Sequence, residues 1–261
     1  MYIVYQIAPS FKKMKKMRER LGTLKNKGAA SGFWRPQDGE QTIRIVPTAD
    51  GDPFKDYWFH YNVGDNPGFL SPKRNFGEDC PLDSFVRNLW QEGTEESRRM
   101  AKKLSARQRF FAPVVVRGEE DQGVRVWGFG KQVYEKLLNL VLNPEYGDIT
   151  DSEAGTDLTI GYGKPAGASF PVTNITPRRR SSPLCPDGPE KCREVLDSIP
   201  DFDELFAGSR KTFAEVQAML DEFLLGETNP EEVSSETTKY NASENKDQGN
   251  SVDKAFADLL G

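Results

Sequence analysis

The chain has 261 residues, 36% of them apolar, with 35 Lys or Arg against 40 Asp or Glu and a formal charge of −5. That length supports one core of up to about 200 residues with appendages, or two small ones. No run approaches the ~18 continuous apolar residues of a membrane-spanning helix. The opening "MYIVYQIAPSFKKMKK" puts its apolar run before its charges, the reverse of a secretory signal, so neither membrane nor export is expected. Three cysteines are too few for a disulfide framework and point to a reducing cytoplasm.

The net charge averages two opposite ends. Residues 11–27 carry eight Lys or Arg against one Glu, whereas residues 201–261 carry fourteen Asp or Glu against five Lys or Arg. A basic arm and an acidic tail on one chain suggest a polyanion partner and an internal competitor for it.

In chain order, "FKKMKKMRERLGTLKNKGAASG" predicts a short basic helix and a hinge at Gly28 to Gly32, so residues 1–32 form an arm with Lys12, Lys13, Lys15, Lys16, Arg18 and Arg20 as its cations. A folded core is expected over residues 33–226. It opens with a turn at Gln37 to Gly39, a strand at Gln41 to Val46 and a second strand over "DYWFHYNV". Residues 64–81 read as a long loop, and Leu82 to Trp90 and Glu95 to Leu104 as helices, the second strongly basic. A hairpin follows, with strands Phe110 to Arg117 and Val124 to Phe129 around a polar loop. The next helix has Val133, Leu137, Leu138, Val141 and Leu142 at the spacing of one apolar face. Two later strands fall near Asp157 to Tyr162 and Phe170 to Ile175. After the polar loop "TPRRRSSPLCPDGPEKC" come two closing helical pieces, the second capped by Thr212 with Glu215 three residues on. Residues 227–261 are almost without apolar side chains and should be disordered, except for the amphipathic tip "VDKAFADLLG", which has the form of a docking peptide. Several short strands with a few helices predict a mainly β, α+β chain with an OB-type barrel core and a helical and loop insertion, rather than a doubly wound sheet.

The hairpin carries the functional signal. Arg98, Arg99, Lys102, Lys103, Arg107, Arg109 and Arg125 lie near Phe110, Phe111 and Trp127, and aromatics beside a cationic track are how single strands are held. Lys131 of "GFGK" and Phe170 complete the candidate contacts. Core burial is the competing reading for each aromatic. Catalysis is not expected: the chain has one histidine and no Walker loop, Gly-x-Ser-x-Gly or His-Glu-x-x-His. His60, Cys80, Cys185 and Cys192 are the only His and Cys residues and could form a zinc set, but their long separations lack the usual paired knuckle, so no metal or other cofactor is expected.

The order of these features resembles the single-stranded DNA-binding, helix-destabilising protein family of T-even-type phages. The likeness rests on "GEQTIRIVPTADGDPF" and "RFFAPVVVRGEEDQGVRVWGFGKQVYEKL", with weaker similarity at "GASFPVTNI" and "AFADLL", and runs over residues 12–175 and the tail. It implies a basic arm for cooperative self-association, an OB-fold core, and an acidic tail that contacts replication and recombination proteins. It also implies aromatics near the DNA cleft at Phe110, Phe111 and Trp127, with Arg109 in the basic run before them. The family's zinc motif has a histidine and a Cys-Pro-x-Cys turn. This chain keeps His60 and "CPLD", with Asp83 in place of the last cysteine, so either the metal is lost or the remote cysteines replace the missing ligands. Loss is the simpler reading, with the subdomain then held by packing of Tyr57, Phe59, Phe69, Phe76, Phe85, Leu89 and Trp90. The alternatives are a single-stranded RNA binder, because stacking hardly distinguishes the sugar, and a scaffold whose charged ends mediate assembly only.

Overall fold

A computed structural model of the chain describes residues 32–228. The basic arm, with Lys12 to Arg20, and the acidic tail beyond Thr228 lie outside the described residues. Eight strands form one mixed sheet: β1 (Phe33–Trp34), β2 (Gly39–Ile45), β3 (Lys55–Val63), β4 (Asn66–Leu70), β5 (Arg107–Val116), β6 (Arg125–Phe129), β7 (Leu158–Gly163) and β8 (Val172–Pro177). Among the described residues seven helices accompany them: α1 (Pro72–Phe76), α2 (Pro81–Glu92), α3 (Glu95–Leu104), α4 (Lys131–Val141), α5 (Pro189–Asp197), α6 (Phe202–Phe206) and α7 (Phe213–Thr228).

Strand β5 is the hub. One edge pairs with β6, and the other pairs first with β3 over Arg107 to Phe111 and then with β2 over Val114 to Val116. Pro113 sits where the partner changes, so its missing N–H falls in a gap of the ladder while its carbonyl still accepts from Val46 N at 2.9 Å. Both faces of β5 are covered. Phe110, Ala112, Val114 and Val116 join a core with Trp34, Ile43, Ile45, Trp127, Phe129 and α4. Phe111 points the other way, onto Phe59, Phe202 and Phe206. This is why the segment reads as a continuous apolar run rather than an alternating one.

From β5 the sheet continues through β2 to β7 and β8, and β3 branches off with β4. The ladders make an open, branched path, and none among the described residues closes them into a barrel. A second core lies under the insertion, where Phe69, Leu82, Val86 and Leu89 meet Ala101 and Leu104 of α3 and Val216, Leu220 and Phe223 of α7. Phe59, Phe69 and Leu89 are buried as expected of the subdomain, whereas Phe76 and Trp90 are exposed.

Three sequence expectations are corrected. Residues 64–81 are not a loop: Asn66 starts β4, and Ser71 caps α1, its hydroxyl accepting from Arg74 N, with Pro72 at a first-turn position that suits proline. The polar stretch after β8 contains the start of α5, which packs Cys192, Val195 and Leu196 against Val46, Val115, Val124 and Leu184. On α4 the buried face is Val133 and Leu137 with Tyr134 and Leu140 packed beside them, while Val141 and Leu142 at its C-terminal end are exposed. Tyr134 is drawn inward because its ring stacks on Phe110, with centroids 4.0 Å apart. The predicted capping of α7 is present: Glu215 accepts from Thr212 N at 2.8 Å, and the Thr212 hydroxyl accepts from Glu215 N at 3.3 Å.

Candidate nucleic-acid interface

A cavity of about 230 Å³ opens where the turn after β1, the strands β5, β6 and β7, the start of α4 and the segment before β8 meet. Its walls include Arg35, Arg109, Gly130, Tyr162, Phe170 and Thr173, and edges of Trp127 and Phe129 form its floor. Phe170 is 78% exposed, so a ring face is open to a ligand.

The two arginines are unusual for what they lack. Among the described residues, neither the Arg35 nor the Arg109 side chain has a hydrogen-bond or ion-pair partner. Burial, reinforced by the like charge of Arg35 and opposed by Tyr61, lowers the pKa of the Arg109 guanidinium from its ordinary value. Guanidinium stays charged in proteins, so the pair is a standing, unneutralised dication on the cavity wall. Helix α4 adds to the same sign. Gly130 is its N-cap and supplies no capping side chain, and its first turn holds no acid. An uncapped helix start favours an anion.

A second, larger groove of about 620 Å³ lies on the insertion, lined by Lys73, Arg74, Asp83, Val86, Arg87, Trp90, Ser105 and Ala106. Trp90 is 45% exposed there. Arg74 also stacks over the ring of Trp58, 5.1 Å from its centroid.

The residues singled out from sequence divide. Arg109 and Phe170 come together in the first cavity. Of the hairpin aromatics, Trp127 reaches that cavity only as an edge in its floor and is 1% exposed, while Phe110 and Phe111 do not line it, and the three rings contact Trp34, Tyr134 and Phe206. A base has no ring face to stack on there, and the aromatics of the hairpin strands build the core instead. Arg125 donates to Glu119 at 2.6 Å and to Gln122 at 3.0 Å, so its charge is already matched. Arg107 is exposed at the start of β5. Arg98, Arg99, Lys102 and Lys103 lie on the solvent side of α3, where Arg99 reaches Glu95 at 3.8 Å and Lys103 covers the Phe223 ring. Lys131 is exposed, 3.6 Å from Glu135. Sequence reasoning missed Arg35 and Tyr162, and also Lys73, Arg74, Arg87 and Trp90. The only signal for the last four was a basic "PKRNF" in a stretch read as loop, followed by an amphipathic helix.

The four-residue zinc set is not assembled, because Cys185 and Cys192 pack against the β2, β5 and α5 cluster. A different trio converges. Donor atoms of His60, Cys80 and Asp83 lie within 4.8 Å of one another. His60 is fully buried, and its Nδ1 donates to Leu104 O at 2.9 Å, leaving Nε2 facing Asp83 Oδ2 at 3.4 Å. The Ser71 hydroxyl donates to the same oxygen at 3.0 Å. Burial pushes the Cys80 thiol up to about 11. Burial also works to raise the pKa of Asp83, but bonds from His60 and Ser71 outweigh it and hold the carboxyl below its ordinary range. A histidine tied through one nitrogen to a carbonyl, with the other facing a thiol and a carboxylate, fits a divalent ion of the zinc type. His60, Cys80 and Asp83 would hold it, and its chemistry would be structural, cross-linking β3 to α2.

The family profile described as gp32 DNA binding protein like matches residues 37–224. No curated protein matches the chain in a sequence search. Among the described residues no helix is long and apolar enough to cross a membrane.

Proposed function

The chain belongs to the gp32-like DNA-binding protein family, and on that premise we propose that it is a non-enzymatic, sequence-tolerant binder of single-stranded DNA. The reading places phosphates against Arg35 and Arg109 and a base on Phe170. The observation that carries it is the unpaired arginine couple beside an open aromatic ring. Unpaired guanidinium favours phosphate, and a ring with a free face accepts any base, which makes binding tolerant of sequence. A cavity only a few side chains wide admits a splayed strand more readily than a duplex.

In the same reading, the sheet with α4 is a variant of the OB core. The arm residues Lys12, Lys13, Lys15, Lys16, Arg18 and Arg20 mediate cooperative self-association along the strand. The acidic tail contacts replication and recombination proteins, and the setting is phage-type DNA replication, recombination and repair in a host cytoplasm. These roles rest on charge and on the family resemblance.

The test is a titration of the full chain with poly-dT, poly-U and duplex DNA at two salt concentrations, followed by fluorescence anisotropy. Poly-dT should bind more tightly than duplex, and affinity should fall as salt rises, with log K changing by about 0.7 per log unit of salt for each phosphate neutralised. Equal binding of duplex and single strand, or no binding by either, would sink the proposal. Preference for poly-U would assign the site to RNA.

A further inference from the structure

The run Arg178-Arg179-Arg180, directly after β8, has no place in the site above. All three side chains are exposed, and among the described residues none has a hydrogen-bond or ion-pair partner. Three adjacent like charges repel one another, and a loose loop would relieve that by moving. This loop is held instead. Arg178 N donates to Asp157 O at 2.9 Å, Ser182 N to Gly155 O at 3.0 Å and Leu184 N to Ser152 O at 2.8 Å. The fully buried Arg44 reaches Ser182 O at 2.7 Å, and Arg117 donates to Leu184 O at 2.7 Å. Asp157 in turn binds both arginines, each at 2.9 Å. The loop therefore leaves the sheet and returns to it at fixed points, and the three guanidiniums are presented on a backbone that loses little freedom when a ligand binds.

The placement bears on the cavity described above. Phe170, Pro171 and Thr173 line that cavity at the start of β8, and the arginines follow its other end. β8 is the terminal strand of the sheet path, and about 3.3 Å per residue puts roughly 23 Å between Pro171 and Arg178. That length lies within the reach of a strand occupying about 4–16 nucleotides on one such fold.

We propose that Arg178, Arg179 and Arg180 form a second phosphate-binding station, which takes the continuation of the single strand whose base stacks at Phe170. It rests on the single-strand reading above and adds a contact that only longer strands reach. Arginine suits the task because its planar fork binds phosphate through two parallel hydrogen bonds.

The experiment compares the full chain with a variant carrying Arg178→Ala, Arg179→Ala and Arg180→Ala, titrated with dT oligonucleotides of about 4 and about 16 nucleotides over a range of salt. On the long oligonucleotide the variant should lose about 2 units of slope in log K against log salt, on the order of a hundredfold in affinity at low salt, while the short one binds as before. The same three positions changed to Lys should keep most of the slope. Thermal unfolding should not move, because the three side chains hold nothing in place. An unchanged slope on the long oligonucleotide, or an equal loss on both lengths, overturns the proposal. So does a variant that keeps its DNA affinity but loses binding to poly-glutamate, which would give the loop to an acidic protein partner. A Phe170→Ala variant separates the two readings. If it weakens both lengths while the arginine variant changes neither, the second station fails and the first stands. If the unaltered chain binds neither oligonucleotide, the single-strand reading itself fails.

Discussion

Two pairs of arginines in this molecule are in opposite states. At the Asp157 cluster the charges are matched and, Arg44 Nε apart, the polar groups are used: Arg117 binds both carboxylate oxygens at 3.1 and 3.2 Å through Nε, Arg44 takes the same carboxylate and three backbone carbonyls, and the Ser182 hydroxyl donates to Asp157 at 3.1 Å. At the cavity, Arg35 and Arg109 face each other's charge with no ion-pair partner among the described residues. The first arrangement leaves no capacity for a ligand, and the second is incomplete without one. What separates a structural arginine from a binding arginine is therefore where its hydrogen bonds already go, and composition is silent on that.

The largest expected effect comes from breaking the satisfied cluster. Asp157→Ala strands Arg44, which is fully buried, without its counter-charge, and should cost about 3–5 kcal/mol of stability. Gly155→Ala should act at the same place, since an added Cβ would meet Arg44 Nη1 at 2.8 Å and Ile149 O at 2.9 Å. Denaturant unfolding measures both. A loss under about 1 kcal/mol for Asp157→Ala would mean that water reaches Arg44 and the cluster is not closed.

The contrast can be sharpened by exchanging two aromatics. Trp127→Ala empties a core position and should cost about 3–5 kcal/mol of stability, with DNA affinity of the folded fraction nearly unchanged. Phe170→Ala should do the reverse, leaving the unfolding midpoint in place and weakening single-strand binding by about 1–3 kcal/mol. Reversed results would return the stacking role to the hairpin.

His60, Cys80 and Asp83 form a third polar cluster, and a chelator sorts it. If the trio holds zinc, removal should lower stability by about 2.7 kcal/mol relative to protein kept at free zinc about 100 times Kd, and Cys80→Ser should abolish the response. Cobalt should give a thiolate-to-metal absorption band that the same substitution removes. Indifference to chelator and cobalt would leave the Ser71 and His60 bonds to Asp83 as the whole anchor.

Much of the fold was legible in the sequence, for reasons that also mark where legibility stops. Strands β2, β3, β5 and β6 and helices α2 and α3 announced themselves because period and turn residues agreed, and α3 has both its Thr94 cap and its acidic first turn in place. β4 and α1 did not, because a short strand and a five-residue helix rich in Pro, Gly and Asn are made by tertiary pairing rather than local preference. At the candidate site, Arg109 and Phe170 were visible as residue types but not as neighbours, since 61 positions separate them. The hairpin aromatics misled for a physical reason. A strand covered on both faces needs large side chains in both directions, and Phe110 next to Phe111 reads the same whether the second face meets α6 or a base. Arg44 and Arg117 passed unnoticed, as buried arginines do, because only their partners distinguish them from exposed ones.

The smallest expected effect sharpens the comparison at its edge. Arg125 lies in the basic neighbourhood read from the sequence, yet its guanidinium binds Glu119 at the hairpin tip, with 15% of the arginine side chain and 46% of the glutamate exposed. A half-open pair of this kind contributes about 0–1 kcal/mol to stability, because the Coulomb gain is screened and two side chains lose freedom. If pairing is what removes an arginine from the binding surface, Arg125→Ala should change neither unfolding nor poly-dT affinity by more than that amount, and the salt slope should stay the same. Glu119→Gln then becomes the informative partner. It frees the guanidinium without removing it, so any gain in poly-dT affinity or salt slope would show that Arg125 sits within reach of the strand. No gain would place the hairpin tip off the DNA path, with Arg35 and Arg109 as the arginines of this region that meet phosphate.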